Sequence, residues 1–541
     1  MNDQNESNDQ ELIRKIRHGL DLAAKAANIE LPEQNGQDLP TVQLDQPVSK
    51  IAHEIGTILT PAPLFWFHTS FVTIGKERGE FELMTTDRFR TWVEKYLYVM
   101  KPNRAGYTAA TMTRDMAGMI MASDLFREKI REVKSLNKVR LPAWRGSSEV
   151  KVDPRQAFWL EPESDFQIEL LPPGYDERTK TYTLEEVEYR RDLPLEEART
   201  FLTEILESFP WAREDENSNS RSTGVHFAAM IGVFCNCLFK EGTIKPMIVY
   251  NGNQPGSGKS LLMRMALCPV HGEPAESSKP NNEELRKILD IAALQSKPYL
   301  VLDDVASLYS NELNRFTNSP VHEPRILGKS QTEKRYNVTQ VFTTGNMLSL
   351  AEDLVRRCLV VDLFEATKAT ERRFENELTP DWLCLNETRA KFLAALWAIV
   401  RHWSENGMPA FKEARHTSAP QWASVIGAIV NHLNPGLLPF AKRTFSLGGD
   451  ESTAALEALI CSIASDLEPS GDEFTTAELI SAAEELNLLE AIAGHAKDQR
   501  KALGHRLKKI RGRTFTDKRN RKFNFGKQDK SYGAVYPFKF L

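Results

Sequence analysis

Apolar positions recur at two periods along this chain, and the switch between them marks its organisation. From residue 224 onward, helical spacing alternates with short unbroken apolar runs: helix 225–239, strand 244–250, helix 259–267, helix 282–294, strand 298–304 and strand 338–344. Short apolar runs set between helical segments predict strands buried on both faces, hence an α/β core with a mostly parallel sheet and helices on both sides. Helical spacing returns at 195–209, ahead of a polar loop or linker at 213–223, and again at 388–403 and 417–432, the last two forming a helical lid after the sheet. Upstream, Phe65–Phe67 and Phe71–Ile74 predict strands, 87–98 and 113–133 predict helices, and Leu171-Pro-Pro-Gly-Tyr-Asp176 predicts a turn. The chain starts polar, with a short helix at 11–27 inside a flexible lead-in. The expected divisions are a tail (1–50), an α+β N-terminal domain of undisclosed chemistry (51–185), the core (186–375), the lid (376–448) and a C-terminal domain (449–541), with a joint at Gly448–Asp450.

Composition narrows the class. Of 541 residues, 41% are hydrophobic and 26% charged, the profile of a globular protein of several domains. The polar start lacks a signal-peptide core, and the longest apolar stretch, Val225–Phe239, is broken by His226 and Asn236 and too short to span a bilayer. These features predict a cytoplasmic protein with no membrane contact. Six cysteines, of which only Cys235 and Cys237 are close, read as reduced core thiols without zinc spacing. Net charge is −5 but uneven: residues 500–541 carry 14 Lys/Arg against two acids, so this end is +12 and the rest −17. Such asymmetry points to nucleic acid at the basic end, the bland alternative being a solvated tail.

Specific chemistry begins at residues 252–260, which read Gly-Asn-Gln-Pro-Gly-Ser-Gly-Lys-Ser between an apolar strand and a helix. Strand, glycine-rich loop and helix start in this order make a phosphate-binding P-loop, where amides and a helix N-terminus converge on anionic oxygens. The candidate ATP-binding residues are Gly252, Asn253, Gln254, Pro255, Gly256, Ser257, Gly258, Lys259, Ser260 and Leu261. Lys259 would reach the β- and γ-phosphates, and the Ser260 hydroxyl would hold Mg²⁺. The usual glycine six residues before the lysine is replaced by Asn253, with Gly252 one position earlier. Asn tolerates a left-handed backbone better than most residues.

Three further features follow in order. The strand Tyr299-Leu-Val-Leu ends on Asp303-Asp304, a Walker B pattern. Asp303 would hold Mg²⁺ through its waters and Asp304, shorter than the usual Glu, would polarise the attacking water; a helix cap is the alternative use of paired acids. The strand Val341-Phe-Thr-Thr-Gly-Asn346 ends on an amide placed to contact the γ-phosphate or the lytic water. Arg356 and Arg357 then precede an apolar strand. They either pair with Asp353 or Asp362 or supply an arginine finger to a neighbour's γ-phosphate.

This order of motifs over about 110 residues resembles an AAA+ ATPase. Arg325-Ile-Leu-Gly328, Thr344-Gly-Asn346 and Asp353-Leu-Val-Arg-Arg357 further resemble the MCM-like replicative helicases of prophages, plasmids and other mobile genetic elements, over most of residues 170–541. The resemblance implies an AAA+ P-loop NTPase core, a ring, usually a homo-hexamer, with ATP sites between subunits, and other replication proteins as possible partners. In such rings a hairpin before the sensor strand enters the pore and grips a single DNA strand. Arg325–Val338 occupies that position, with Lys329, Lys334 and Arg335 as candidate contacts.

The C-terminal segment resembles a winged helix. A threonine-capped helix starts near Phe474, and 498–510 forms a second helix with Ala502, Leu503, Leu507 and Ile510 on its apolar side. Arg500, Lys501, Arg506, Lys508 and Lys509 lie on the other side, and Arg521 and Lys522 open a two-stranded wing completed by 532–540. A basic helix followed by a basic hairpin fits duplex DNA, with a protein-docking winged helix as the alternative. The expected function is an ATP-dependent, ring-forming DNA helicase acting in replication of a phage or mobile element. An AAA+ DNA remodeller or loader that does not unwind stays open, as does a nucleotide-switched DNA-binding initiator.

Overall fold

The computed structural model describes residues 39–541 apart from 76–78, 105, 146–151, 154–157, 160–167, 213–218, 278–281, 306, 326–331, 347, 365–377, 412–415, 417, 442–450, 469, 471, 487, 490–491, 493–497, 511–513, 518, 520, 531–532 and 541. The helix expected at 11–27, Lys329 and the joint at Gly448–Asp450 lie outside the described residues. The chain divides into two compact units, Met1–Ala143 with Glu169–Tyr189, and Trp144–Ile168 with Arg190–Leu541.

In the first unit the helix Val48–Leu59 buries Ile51, Ile55 and Leu59 in a core shared with Phe71, Phe89, Val99, Ile120 and Phe126. Leu64–Phe67 and Ser70–Ile74 form an antiparallel pair, as their alternation predicts. Three local expectations give way to tertiary pairing. The helix expected over 113–133 stops at Met121 and resumes only for Asp124–Arg127, because Arg131–Glu132 must extend to pair with Phe65–Trp66. There the Arg131 guanidinium donates to the Pro61 and Ala62 carbonyls and lies 5.1 Å from the Phe65 ring centroid. The helix expected over 87–98 is Thr86–Trp92, since Tyr98 pairs with Thr41 in a parallel ladder. The turn expected at 171–176 is displaced: Gly174–Asp176 is a strand against Thr181–Thr183, and the Asp176 carboxylate accepts the Thr179 N–H in the connecting turn.

The second unit opens with α1 (Leu195–Glu207), which buries Ala198, Leu202 and Leu206 at every fourth position. Helix α2 (Asn219–Phe234) begins six residues before its apolar stretch. It is followed by β1 (Met247–Gly252), α3 (Lys259–His271), β2 (Glu276–Ser277), α4 (Asn282–Leu294), β3 (Tyr299–Leu302) and α5 (Asn311–Asn318). A short hairpin, β4 (Val321–His322) with β5 (Arg335–Tyr336), precedes β6 (Gln340–Asn346), α6 (Glu352–Val355) and β7 (Cys358–Leu363). The central sheet has the order β2-β3-β6-β1-β7 and every pairing is parallel.

This sheet is covered on both sides, which explains its unbroken apolar strands. Met247 and Val249 pack with Leu285, Leu289, Leu313 and Phe316 from α4 and α5. The next residue, Tyr250, turns to the opposite face, where its hydroxyl lies 3.1 Å from His226 Nδ1 of α2. Complete burial holds this histidine neutral, with its pKa lowered to about 3. Beyond the sheet come α7 (Pro380–Cys384), α8 (Asn386–Glu405) and α9 (Pro420–Leu433).

The C-terminal part holds α10 (Glu451–Asp466), β8 (Glu473–Thr475), α11 (Thr476–Glu485), α12 (Gln499–Ile510), β9 (Thr514–Thr516), β10 (Lys522–Phe525), β11 (Gln528–Lys530) and β12 (Gly533–Phe540). Thr475 and Glu478 form a reciprocal capping box at the start of α11. The expected two-stranded wing is larger than the sequence suggested: β12 pairs with β8, β10 and β11, and β9 adds to β10. Phe523, Phe525 and Phe538 stack at its centre, with centroids 5.8 and 5.9 Å apart.

Candidate functional site

The P-loop leaves the carboxyl end of β1, an interior strand of the parallel sheet, where ligands bind in open α/β folds. Its glycines do separate jobs. Gly256 and Gly258 adopt φ of 74° and 92°, left-handed values that side chains resist. Gly252 serves close approach: a Cβ there would stand 2.3 Å from Ser257 Oγ and 3.1 Å from Lys259 Cδ. The glycine requirement therefore falls one residue before the usual position, and Asn253 needs no glycine geometry, its N–H donating to the Leu363 carbonyl. Lys259 opens α3 and is buried, with Nζ 2.7 Å from Asn346 Oδ1 and 3.3 Å from the Gln254 carbonyl. Asn346 ends β6, which pairs directly with β1, so adjacent strands bring the lysine and the amide together.

One residue further, the Ser260 hydroxyl donates to Asp303 Oδ1 at 3.2 Å. Thr344 donates to the same oxygen at 2.5 Å and accepts the Asp304 N–H at 3.0 Å. Asp304 is exposed and has φ of 50°, a conformation Asp tolerates. Serine hydroxyl and aspartate carboxylate are hard oxygen donors that fit Mg²⁺, which binds through one or two protein oxygens and waters. Gly345 permits this convergence, since a Cβ there would lie 2.1 Å from the Val305 carbonyl oxygen. Gly345→Ala is expected to cost about 1–3 kcal/mol through overpacking. A fall in Tm, accompanied by weaker nucleotide binding, is the measurement that checks it.

Beneath the loop runs a polar network that sequence reading missed. Arg221, assigned to a linker, sits in α2 and pairs with Asp362 at 2.6 Å, both nearly inaccessible to solvent. Asp362 also accepts from Asn251 Nδ2 at 3.0 Å, and Asn251 Oδ1 accepts the Leu348 N–H. The network joins α2, β7, β1 and the chain just after Asn346. Opposite charges 141 positions apart carry no local signal.

Arg356 and Arg357 lie at the opposite edge of the sheet. Met247 is in register with Cys358 and Gly252 with Leu363, so the arginines flank the amino end of β7 while the P-loop leaves the carboxyl end of β1. Five residues of strand separate those levels by roughly 16 Å, farther than an arginine side chain extends. Arg356 is 62% exposed and pairs with Asp353 at 3.0 Å. Arg357 is buried, and its Nε donates to the Asp353 carbonyl.

The hairpin expected before β6 is present as β4 and β5, extended by a bridge between Arg325 and Thr332. Its base is held to α4, with His322 Nε2 2.8 Å from Asp290 Oδ1. Lys334 is 79% exposed. Arg335 is a correction: it is buried and paired with Glu333 at 2.6 Å, so it braces the hairpin rather than facing DNA. Tyr336, which sequence reading passed over, is 56% exposed beside Lys334.

In the C-terminal part, Leu503 and Leu507 of α12 are buried, while Lys501, His505 and Lys508 are exposed on the helix and Arg506 is half-buried. The side chains of Arg500 and Lys509 lie outside the described residues. Lys522 is exposed. Arg521 is a second correction: it pairs with Asp517 at 2.8 Å, donates to the Ala464 and Leu467 carbonyls at the end of α10 and lies over the Phe540 ring. Its guanidinium is consumed in closing this part of the fold.

No protein-family model and no curated protein sequence matches the chain. Among solved structures, it is similar to the NrS-1 C-terminal region at 10% identity and TM-score 0.38, over 90% of this chain and 99% of that one. It is also similar to SCCmec type IV Cch, described as an active helicase, at 11% identity and TM-score 0.33, over 78% and 86% of the two chains. JCV helicase is similar at 15% identity and TM-score 0.20, over 48% and 70%. Likeness this distant carries no functional weight. Among the described residues, no helix is long and apolar enough to cross a membrane.

Proposed function

We propose that this chain is an ATP-driven, ring-forming DNA helicase with an AAA+ core, acting in replication of a mobile element. The observation that carries the reading is the convergence of Lys259, Ser260, Asp303, Thr344 and Asn346 at the carboxyl edge of one parallel sheet. The strand order supports it, because the acidic strand β3 and the P-loop strand β1 flank the Asn346 strand β6. ATP would supply the phosphoanhydride, and Mg²⁺, when bound, would neutralise charge on its oxygens. Lys259 exchanges Asn346 for phosphate oxygens, and the loop amides 252–258 cradle them. Ser260 and Asp303 would hold the metal. Asp304 polarises the attacking water, and Asn346, released by the lysine, orients it.

A duplex-binding winged helix at α11, α12 and the β10–β12 hairpin is part of this reading, with Lys501, Lys508, Lys522 and the exposed His505 toward phosphates. In the pore, Lys334 would grip a phosphate while Tyr336 offers a ring for base stacking. Helices α7–α9 take the place of the lid. Asp304→Asn tests the hydrolytic assignment cleanly, because Asn also accepts the left-handed backbone at this position. It is expected to bind ATP as tightly as the wild type and to lose turnover by about 100-fold or more. Unchanged turnover would remove Asp304 from the polarising role.

A further inference from the structure

The ATPase reading makes no use of the far end of α3. Cys268, in its last turn, Glu273, just beyond the helix, and Cys384, the final residue of α7, converge there with ligand atoms within 4.8 Å of one another. The two sulfurs are 3.7 Å apart, and Cys384 Sγ is 2.8 Å from Glu273 Oε2. Two thiolates on a tetrahedral zinc ion, with bonds of about 2.3 Å, sit about 3.7 Å apart, so the sulfurs already span one edge of such a polyhedron.

The surroundings form a built site. Cys268 is fully buried, Cys384 half-buried and Glu273 exposed, giving a sulfur floor that opens to solvent through the carboxylate. Gly272, at φ of 70°, turns the chain back so that Glu273 returns over the helix end. Arg264, one turn before Cys268, pairs with Glu273 and, at 2.7 Å, with Glu276, fixing the carboxylate from outside.

We propose that Cys268, Glu273 and Cys384 bind a soft divalent cation of the zinc class, with water in the fourth position. Donor chemistry separates this cation from the nucleotide's metal: thiolates select zinc-like ions, whereas the oxygen pair Ser260 and Asp303 selects magnesium. The bound ion fastens α7 to the same helix whose first turn carries Lys259 and Ser260. The competing chemistry for two sulfurs at this distance is a disulfide.

The test is cobalt(II) titration of the full chain under reducing conditions, with zinc(II) as competitor. The proposal predicts one cobalt per chain, sulfur-to-cobalt charge-transfer absorption and displacement by zinc. Cys384→Ser is expected to abolish the band. Glu273→Gln, a change at an exposed position that leaves both thiols in place, is expected to weaken cobalt binding by about tenfold or more. A reduced chain that takes up no cobalt overturns the proposal, as does a band that persists in Cys384→Ser and so arises from other cysteines. If Cys384→Ser does not fold, an unchanged cobalt affinity in Glu273→Gln overturns it instead.

Discussion

Lys259→Ala is expected to lower ATP turnover by about 100-fold or more, the scale seen when a preorganised donor to developing charge is removed. The lysine sits in the first turn of α3, buried, and its ammonium already occupies the space between the loop carbonyl of Gln254 and Asn346. Arg356 and Arg357 do not stand in for it, because they lie at the amino end of β7. Turnover and nucleotide affinity should fall together, since in the proposed role the same ammonium would meet the β- and γ-phosphates in ground and transition states. Steady-state hydrolysis beside nucleotide binding checks this. Near-normal turnover would mean that the loop at 252–258 is not the catalytic phosphate site.

Arg356→Ala is expected to reduce turnover by about a thousandfold, the lower range for loss of an arginine finger, while leaving the subunit folded. Its ion-pair partner Asp353 is itself more than half exposed, and such surface pairs contribute little stability. The distance along the strands forbids action on its own P-loop, so the effect must pass to a neighbour. Mixing Arg356→Ala with Asp304→Asn should therefore recover part of the activity that neither variant has alone, at interfaces where both intact groups meet. Arg357→Ala should differ, because that side chain is buried against the Asp353 carbonyl and its loss falls on stability. No recovery at any ratio, with subunit exchange demonstrated, would place the arginine outside catalysis.

The P-loop could be read from sequence because backbone geometry restricts residue type: left-handed turns at Gly256 and Gly258 and the close approach at Gly252 admit little but glycine. Paired acids and the Thr-Gly-Asn run were legible for the same reason, each closing an apolar strand. What sequence could not give was direction. Arg335 and Arg521 looked like exposed cations, yet Glu333 and Asp517 turn them inward. Arg221 looked like linker, and only the fold brings Asp362 to it. Thr344 was read as strand, although its hydroxyl joins Asp303 to the Asp304 backbone. The helix expected over 113–133 failed because local periodicity is weaker than the pairing that Arg131–Glu132 makes with a distant strand.

Strand displacement from a forked DNA duplex tests the central claim most directly. Wild type with ATP and Mg²⁺ should release the strand, and Lys259→Ala should not. Lys334→Ala should hydrolyse ATP near the wild-type rate while releasing little strand, because its exposed hairpin ammonium is assigned to DNA and not to the ATP site. ATP hydrolysis by the wild type without strand release, on forks of either polarity, would contradict the helicase reading and leave a remodeller or loader in its place.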